Sequence, residues 1–476
     1  MARNTTIRAV AELVSKFASL ALIAVLAREE GAAALGVLVF ALAWCEIATS
    51  LIEMGFDAYF LRRVARDRTE LDRCFFNVLT LKLVRAVPVI AVSSLLVWLL
   101  GYDEATRTAV YVLTAALLLD TLSYTIFAAF NAVERAELIG VALATQRILT
   151  AGLGVAALLA GYGVVVVTVM YAVGSATGFV MALALLARHV RLPRLQLPRA
   201  ARRDLRRRSL PFATQELLSA GIARIDFLLL SALTTPTVVG HYGAAYRLLE
   251  ATLFISAALQ GAFAAMYTYL DDRSDPTIRT VFQRSIKLSL ALLVPSGITL
   301  VVLASPLLKL LFGESFTQAE AALRLLGPTV VVLGIVLLST TLISSRLDPR
   351  SLALYFGLAL VVNVALNLLL IPPLGAAGAA LGMLVTELVI AALALRTSLR
   401  AVGALRVTAT IGSPFVAGFA MAITMFVLQG ILAVALAAGV VVYVAVYTVV
   451  ERRLAPADFD FLAGVLRSRL PSKIVP

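Results

Sequence analysis

The chain has 476 residues, of which 61% are hydrophobic and 14% charged, with a formal net charge of +13. A soluble domain carries about a quarter charged residues, so a water-exposed globule is excluded. The positive charge lies in short segments between apolar blocks, which excludes a nucleic-acid-binding module.

The apolar blocks match the roughly 20 residues that a helix needs to cross about 30 Å of hydrocarbon. They are rich in Leu, Ala, Val and Gly and lack the alternation of a barrel strand. In chain order the expected spans are 8–27, 33–54, 77–100, 108–130, 138–160, 164–187 and 210–232. They continue with 238–268, 286–305, 322–345, 351–371, 376–396, 407–428 and 430–450. The expected fold class is therefore all-α integral membrane, with about fourteen transmembrane helices. Residues 18–27 have the look of a signal-peptide core, but the internal repeat described below makes them a retained helix. Cys45 falls inside a helix and Cys74 in a basic loop, so neither a disulfide nor a metal site is expected. His189 and His241 read as a loop residue and a helix-end residue.

Every second interhelical segment is basic. Arg62, Arg63, Arg66, Arg68 and Arg73 follow the second span, and nine arginines lie between Arg188 and Arg208. Arg279, Arg284 and Lys287, then Arg346 and Arg350, then Arg396, Arg400 and Arg406 extend the same face. The opposite loops hold Arg28, Arg107 and Lys309. The bias predicts a multi-pass protein of the cell membrane with the basic face and both termini cytoplasmic. The Arg202–Arg208 run reads first as a topology signal and second as a contact for anionic lipid headgroups.

The longest polar gap, 188–209, divides the chain. An offset of 204 lays Glu12 on Glu216, Gly36 on Gly240 and Glu46 on Glu250. Six helices separate the matched positions, an even number, so the halves are parallel repeats with a shared site near mid-bilayer. The expected organisation is a six-helix lobe over 1–187, a basic cytoplasmic linker over 188–209 and a second six-helix lobe over 210–400. The two lobes are expected to form a central cavity. Two further helices over 401–450 form an appendage, followed by a cytoplasmic tail over 451–476.

Ionisable residues near a helix centre cost about 2.5–3.5 kcal/mol each on insertion, so they call for a polar cavity or a partner. Arg8, Glu12, Ser15, Lys16 and Ser19 form one stripe in the first span, and Glu46, Thr49, Ser50, Glu53 and Asp57 another in the second. The seventh carries Gln215, Glu216, Ser219, Arg224 and Asp226; the eighth carries Tyr242, Tyr246, Arg247 and Glu250. Asp120, Arg147 and Glu387 lie alone, and Asn363 and Asn367 are four apart. Glu12 with Lys16, and Arg247 with Glu250, have helical pair spacing and are able to neutralise each other. The alternative is functional: Lys16, Arg147, Arg224 and Arg247 bind an anionic substrate, arginine being suited to phosphate oxygens. Glu46, Glu53, Asp57 and Glu250 are then candidates for a coupling proton or Na⁺.

Several segments carry a resemblance. They are ALIAVLAREEGAAALGVLVFALA with MGFDAYFLRRVARD (Met54–Asp67), DFLLLSALTTPTVVGHYGAAYRLLE (Asp226–Glu250), PLLKLLFGESFTQAEAALRLLGP (Pro306–Pro328) and NVALNLLLIPPLGAAGAALGMLVTE (Asn363–Glu387). In this order they resemble polysaccharide flippases of the multidrug/oligosaccharidyl-lipid/polysaccharide superfamily. One departure is Arg28-Glu29-Glu30-Gly31, where the family has Arg-x-Leu-Gly. The resemblance implies translocation of a polyprenyl-(pyro)phosphate-linked oligosaccharide from the inner to the outer leaflet by ion-coupled alternating access. It implies a monomer among membrane lipids, working beside polysaccharide polymerase and glycosyltransferase machinery. No cofactor is expected beyond an H⁺ or Na⁺ gradient. Of the four candidate cations only Arg247 lies inside a matched motif; by resemblance to the lipid II flippase branch it holds the pyrophosphate, while helices 13 and 14 take the lipid tail. The lipid II flippase branch is the alternative. A drug exporter fits less well, because that group stops at twelve helices and lacks the IPPLG-type segment. A membrane polymerase or ligase would need large external loops, a nucleophile–base pair or a metal cluster, and none is visible, so no enzyme activity is expected.

Overall fold

The computed structural model describes residues 2–190, 193–197, 199–269, 276–347, 350–456 and 459. Among them there is no strand. The helices are α1 (Ala2–Glu53), α2 (Phe56–Arg66), α3 (Glu70–Leu99), α4 (Glu104–Ala132), α5 (Ala136–Leu159), α6 (Val164–His189), α7 (Arg199–Leu233) and α8 (Pro236–Tyr269). They continue with α9 (Pro276–Val302), α10 (Ala304–Phe312), a 3-10 turn (Glu314–Ala319), α11 (Glu320–Arg346), α12 (Arg350–Leu374), α13 (Ala376–Val402), α14 (Val407–Val427) and α15 (Leu432–Leu454).

Each expected span lies within one of these helices, to within two residues at its ends, except 286–305, which runs past the end of α9 into α10. The first two are the halves of α1, which bends at Gly31, whose φ of 81° breaks the regular helical path. Eleven helices among the described residues are long and apolar enough to cross a membrane, the first being the 40-residue stretch Val14–Glu53. Helices α7 and α8 carry several of the candidate site residues. The α3 helix starts at Glu70 rather than near residue 77, so Cys74 is a buried helical residue and not a loop residue. His189 ends α6, and His241 is buried within α8.

The chain divides into two compact units. The first holds Met1–Ala244 and Asn367–Gly375; the second holds Ala245–Leu366 and Ala376–Pro476. This division differs from the expected lobes, since α7 belongs with α1 to α6. The reason is a set of direct links: the Gly55 N–H donates to Glu216 Oε2 at 2.8 Å, and the Arg62 guanidinium lies 4.7 Å from the Phe212 ring centroid. A core of Phe56, Phe60, Val64, Phe75, Ile126 and Phe130 binds α2, α3 and α4 within this unit. On its basic side Asp204 of α7 accepts from Arg63 at 2.5 Å and from Arg208 at 2.6 Å. Burial works against the Asp204 carboxylate, but the two guanidinium donors outweigh it and hold its pKa below the ordinary value.

Helices α1 and α8 approach closely within the first unit. A Cβ built on Gly36 would lie 1.8 Å from the Pro236 carbonyl oxygen, and one built on Gly240 would lie 1.9 Å from that of Ala32. Shifting either statement by 204 positions produces the other. The equivalent turns of the two sequence repeats thus pack on each other reciprocally, as a local two-fold axis requires. Only glycine permits so close a backbone approach.

The second unit is centred on α9, α11, α14 and α15, with Phe282, Leu290, Leu338, Met421, Met425 and Tyr443 in its core. The two helices expected to be an appendage are therefore part of a core. Tyr443 donates to the Ala291 carbonyl at 2.8 Å. Lys287 of α9, read from sequence as a basic-face charge, and Glu451 of α15, read as the start of the tail, form an ion pair with side-chain exposures of 3% and 0%. Each is admitted to the interior because the other neutralises it.

Candidate functional site

Most of the candidate residues lie in the first unit, on the inner stretch of α1 and on the helices packed against it. Arg224 of α7 forms an ion pair with Glu46 of α1, the arginine side chain being 19% exposed and the glutamate 42%. This pair joins positions 178 apart in sequence. Glu46, expected as an ion carrier, and Arg224, expected as an anion ligand, are thus counter-ions of each other in this state.

Below this pair the chain breaks between α1 and α2, where Met54 and Gly55 take φ values of 45° and 67°. The break frees the Gly55 N–H, which Glu216 captures. Asp57, in the first turn of α2, is almost fully buried and fully bonded: Lys82 Nζ donates to Oδ2 at 2.6 Å and Thr125 to Oδ1 at 2.8 Å. Lys82 also donates to the Thr121 carbonyl at 2.8 Å and is 0% exposed. Glu53 faces Asp57, Lys82 and Glu216. Asp57 alone bonds the buried ammonium, with Glu53 and Glu216 in its electrostatic neighbourhood. Lys82 was not among the residues expected from sequence, because it sits inside an apolar block with no acidic residue at helical spacing.

Arg147 of α5 donates to the Tyr171 hydroxyl of α6, and its guanidinium lies 5.4 Å from that ring centroid. Its neighbour Gln146 donates to Asp120 Oδ1 at 2.7 Å and to Ser175 at 3.2 Å. Asp120 and Arg147, which read as solitary charges, thus belong to one polar cluster across α4, α5 and α6. Asp226 of α7 accepts from the Tyr242 hydroxyl of α8 and from the Phe227 N–H at 2.9 Å. Lys16 is exposed on the first half of α1. The side chains of Glu12 and Gln215 lie outside the described residues, so the expected Glu12–Lys16 pairing does too.

In the second unit Arg247 donates to Glu250 at 2.6 Å, one turn along α8, with side-chain exposures of 23% and 24%. The spacing in the sequence anticipates this pair. Asn363 donates to Thr386 at 3.2 Å, and the adjacent Glu387 is 5% exposed. Arg224 and Arg247 are thus both partly buried arginines ion-paired to a carboxylate within the helices.

An all-helical chain with these spans and ion pairs placed along them is a multi-pass membrane protein with a transporter fold. Residues 25–321 match the model of the polysaccharide biosynthesis protein family. That is more than half of the chain, and the chain belongs to that family. Two relatives are from Haloferax volcanii. The probable flippase AglR is 26% identical over 206 residues, covering 42% of this chain and 43% of the relative. The probable low-salt glycan biosynthesis flippase Agl15 is 24% identical over 157 residues, covering 33% of each. The aligned stretches thus span less than half of either relative's length.

Among solved structures, the lipid II flippase MurJ in an inward closed conformation matches with a TM-score of 0.78 and 12% identity. That match covers 94% of this chain and 99% of the other. An inward-facing multidrug resistance MATE family transporter of the MOP superfamily matches with a TM-score of 0.68 and 16% identity, covering 83% and 96%. At such identities the likeness is one of fold.

Proposed function

We propose that this protein is a flippase that carries a polyprenyl-(pyro)phosphate-linked oligosaccharide from the inner to the outer leaflet for cell-surface glycan synthesis. The observation that carries the reading is the pair of carboxylate-held arginines, Arg224–Glu46 and Arg247–Glu250, inside membrane helices of a polysaccharide biosynthesis protein. A pyrophosphate offers more acceptor oxygens than one carboxylate, and each guanidinium binds two of them side by side. When substrate takes an arginine, the displaced glutamate is left charged in a poorly solvated place. It then favours a proton or Na⁺ as its new partner. Substrate entry and ion uptake are linked in this way without any bond being made or broken in the glycan.

Lys16 and Arg147 are further substrate-binding candidates, and Glu53 and Asp57 further ion-coupling candidates in this scheme. The protein acts as a transporter and not as an enzyme, as a monomer in the cell membrane with both termini cytoplasmic. It feeds polymerase or glycosyltransferase partners. A lipid II flippase is the second reading, favoured by the MurJ-like fold; the family match and the glycan flippase relatives favour the first.

Arg247→Ala is expected to insert and fold normally but to reduce leaflet exchange of the lipid-linked glycan by at least ~10-fold, since charge-assisted bonds contribute about 1.5–3 kcal/mol. Exchange by the purified variant in proteoliposomes at the wild-type rate would remove Arg247 from the site.

A further inference from the structure

We propose that the end of α13 carries a binding groove for one anionic phospholipid, whose acyl chain lies in an apolar slot and whose phosphate is held by Arg396 and Arg400. The groove belongs to the second unit and has a volume of about 420 Å³, a size that suits small ligands. It is lined by Ala392, Leu395, Arg396, Leu399, Arg400 and Ala404. The first five fall at i, i+3, i+4, i+7 and i+8, so they form one face of the helix. Ala404 closes the groove from the segment that follows α13. That segment is anchored to α9, where Arg279 donates to the Ala404 carbonyl and Gln283 Oε1 accepts from the Arg406 N–H at 3.3 Å.

Charge selects the occupant. Arg396 and Arg400 are exposed, and neither has a hydrogen-bond or ion-pair partner among the described residues. The carboxylates described in this unit are paired elsewhere or remote. Glu250 holds Arg247, Glu314 holds Lys309, Glu320 holds Arg324 and Glu451 holds Lys287. Glu387 is 5% exposed and precedes Arg396 by about 13 Å of helix rise. Two guanidiniums one turn apart, with no anion of their own, match the oxygens of a phosphate.

Depth makes that phosphate a lipid's. From Ala376 to Leu395 the only charged residue of α13 is Glu387. At 1.5 Å per residue this stretch is about 30 Å long, the thickness of the hydrocarbon. Arg396 and Arg400 follow in the last two turns and reach the headgroup layer, while Ala392 and Leu395 stay below it. A molecule with a phosphate at the head of an apolar chain spans both levels. The anionic phospholipids of the surrounding leaflet have that form.

The test uses the full chain in nanodiscs of phosphatidylcholine alone, with added phosphatidylglycerol, or with added polyprenyl phosphate. Lipid retained on the released protein is counted by native mass spectrometry. Wild type is expected to retain one phosphatidylglycerol that Arg396→Gln/Arg400→Gln loses, with occupancy falling at least ~10-fold. Ala392→Phe, at an exposed position, fills the slot and leaves both arginines in place; it should lower retention as well. Arg66→Gln/Arg68→Gln, which removes two exposed charges from the first unit, should not. Full retention by Ala392→Phe would reduce the site to diffuse attraction between charges and overturn the groove. Equal retention by wild type and Arg396→Gln/Arg400→Gln, or an equal loss in Arg66→Gln/Arg68→Gln, overturns the arginine pair. Preferential retention of phosphatidylcholine or of polyprenyl phosphate overturns the assignment to an anionic phospholipid.

Discussion

Lys82→Met is expected to destabilise the protein by roughly 3–5 kcal/mol, the range for removing one partner of a buried ion pair. The side chain is 0% exposed, and its ammonium neutralises Asp57 while also satisfying the Thr121 carbonyl. Methionine fills the same volume without donors, so Asp57 keeps only Thr125 and its charge is left beside Glu53 and Glu216. The double variant Asp57→Leu/Lys82→Met removes both charges and should regain most of the loss, because the penalty lies in the orphaned partner and not in the missing attraction. Thermal unfolding of the four proteins in one detergent measures this cycle. A Lys82→Met protein as stable as wild type, or a double variant as unstable as the summed singles, would show that the pair is not the buried unit described.

The second large effect concerns the α1–α8 crossing. Alanine at Gly36 or Gly240 places a methyl group at 1.8 or 1.9 Å from a backbone carbonyl oxygen. A C···O contact needs about 3.3 Å, so the helices must part by roughly 1.5 Å. Overpacking of this kind costs about 1–3 kcal/mol, and more where the backbone itself is the obstacle. Because either substitution opens the same crossing, Gly36→Ala/Gly240→Ala should cost less than the sum of the singles. Strict additivity in unfolding, or neutral singles, would contradict the reciprocal packing.

That crossing also shows what kind of information the sequence carries. Gly36 and Gly240 stand out from sequence because an offset of 204 superposes them, and the two glycines meet at one helix crossing. The spans are legible from the contrast between apolar blocks and basic loops. The Arg247–Glu250 pair is legible from its one-turn spacing. Partners far apart in the chain leave no such trace. Arg224 and Glu46 are 178 positions apart, and each on its own reads as a free functional charge. Lys82 lies in an apolar block that gives no sign of Asp57 across the break at Gly55. Lys287 and Glu451 sit at the ends of apolar blocks and pass for loop charges until α9 and α15 pack together. What is hidden is pairing: charge placement follows from local composition, while the identity of the counter-ion follows only from tertiary structure.

The same distinction matters for function, since a membrane arginine that keeps a carboxylate until substrate arrives is a switchable site, whereas a permanently paired one is a structural clip. The most direct measurement is leaflet exchange in proteoliposomes of two probes that share a short glycan and a prenyl tail. One carries a pyrophosphate linkage and the other a neutral ether linkage. The wild-type protein is expected to exchange only the pyrophosphate-linked probe, faster under a proton or Na⁺ gradient. Equal exchange of both probes, or no exchange of either above protein-free vesicles, would contradict a flippase that recognises its substrate through Arg224 and Arg247.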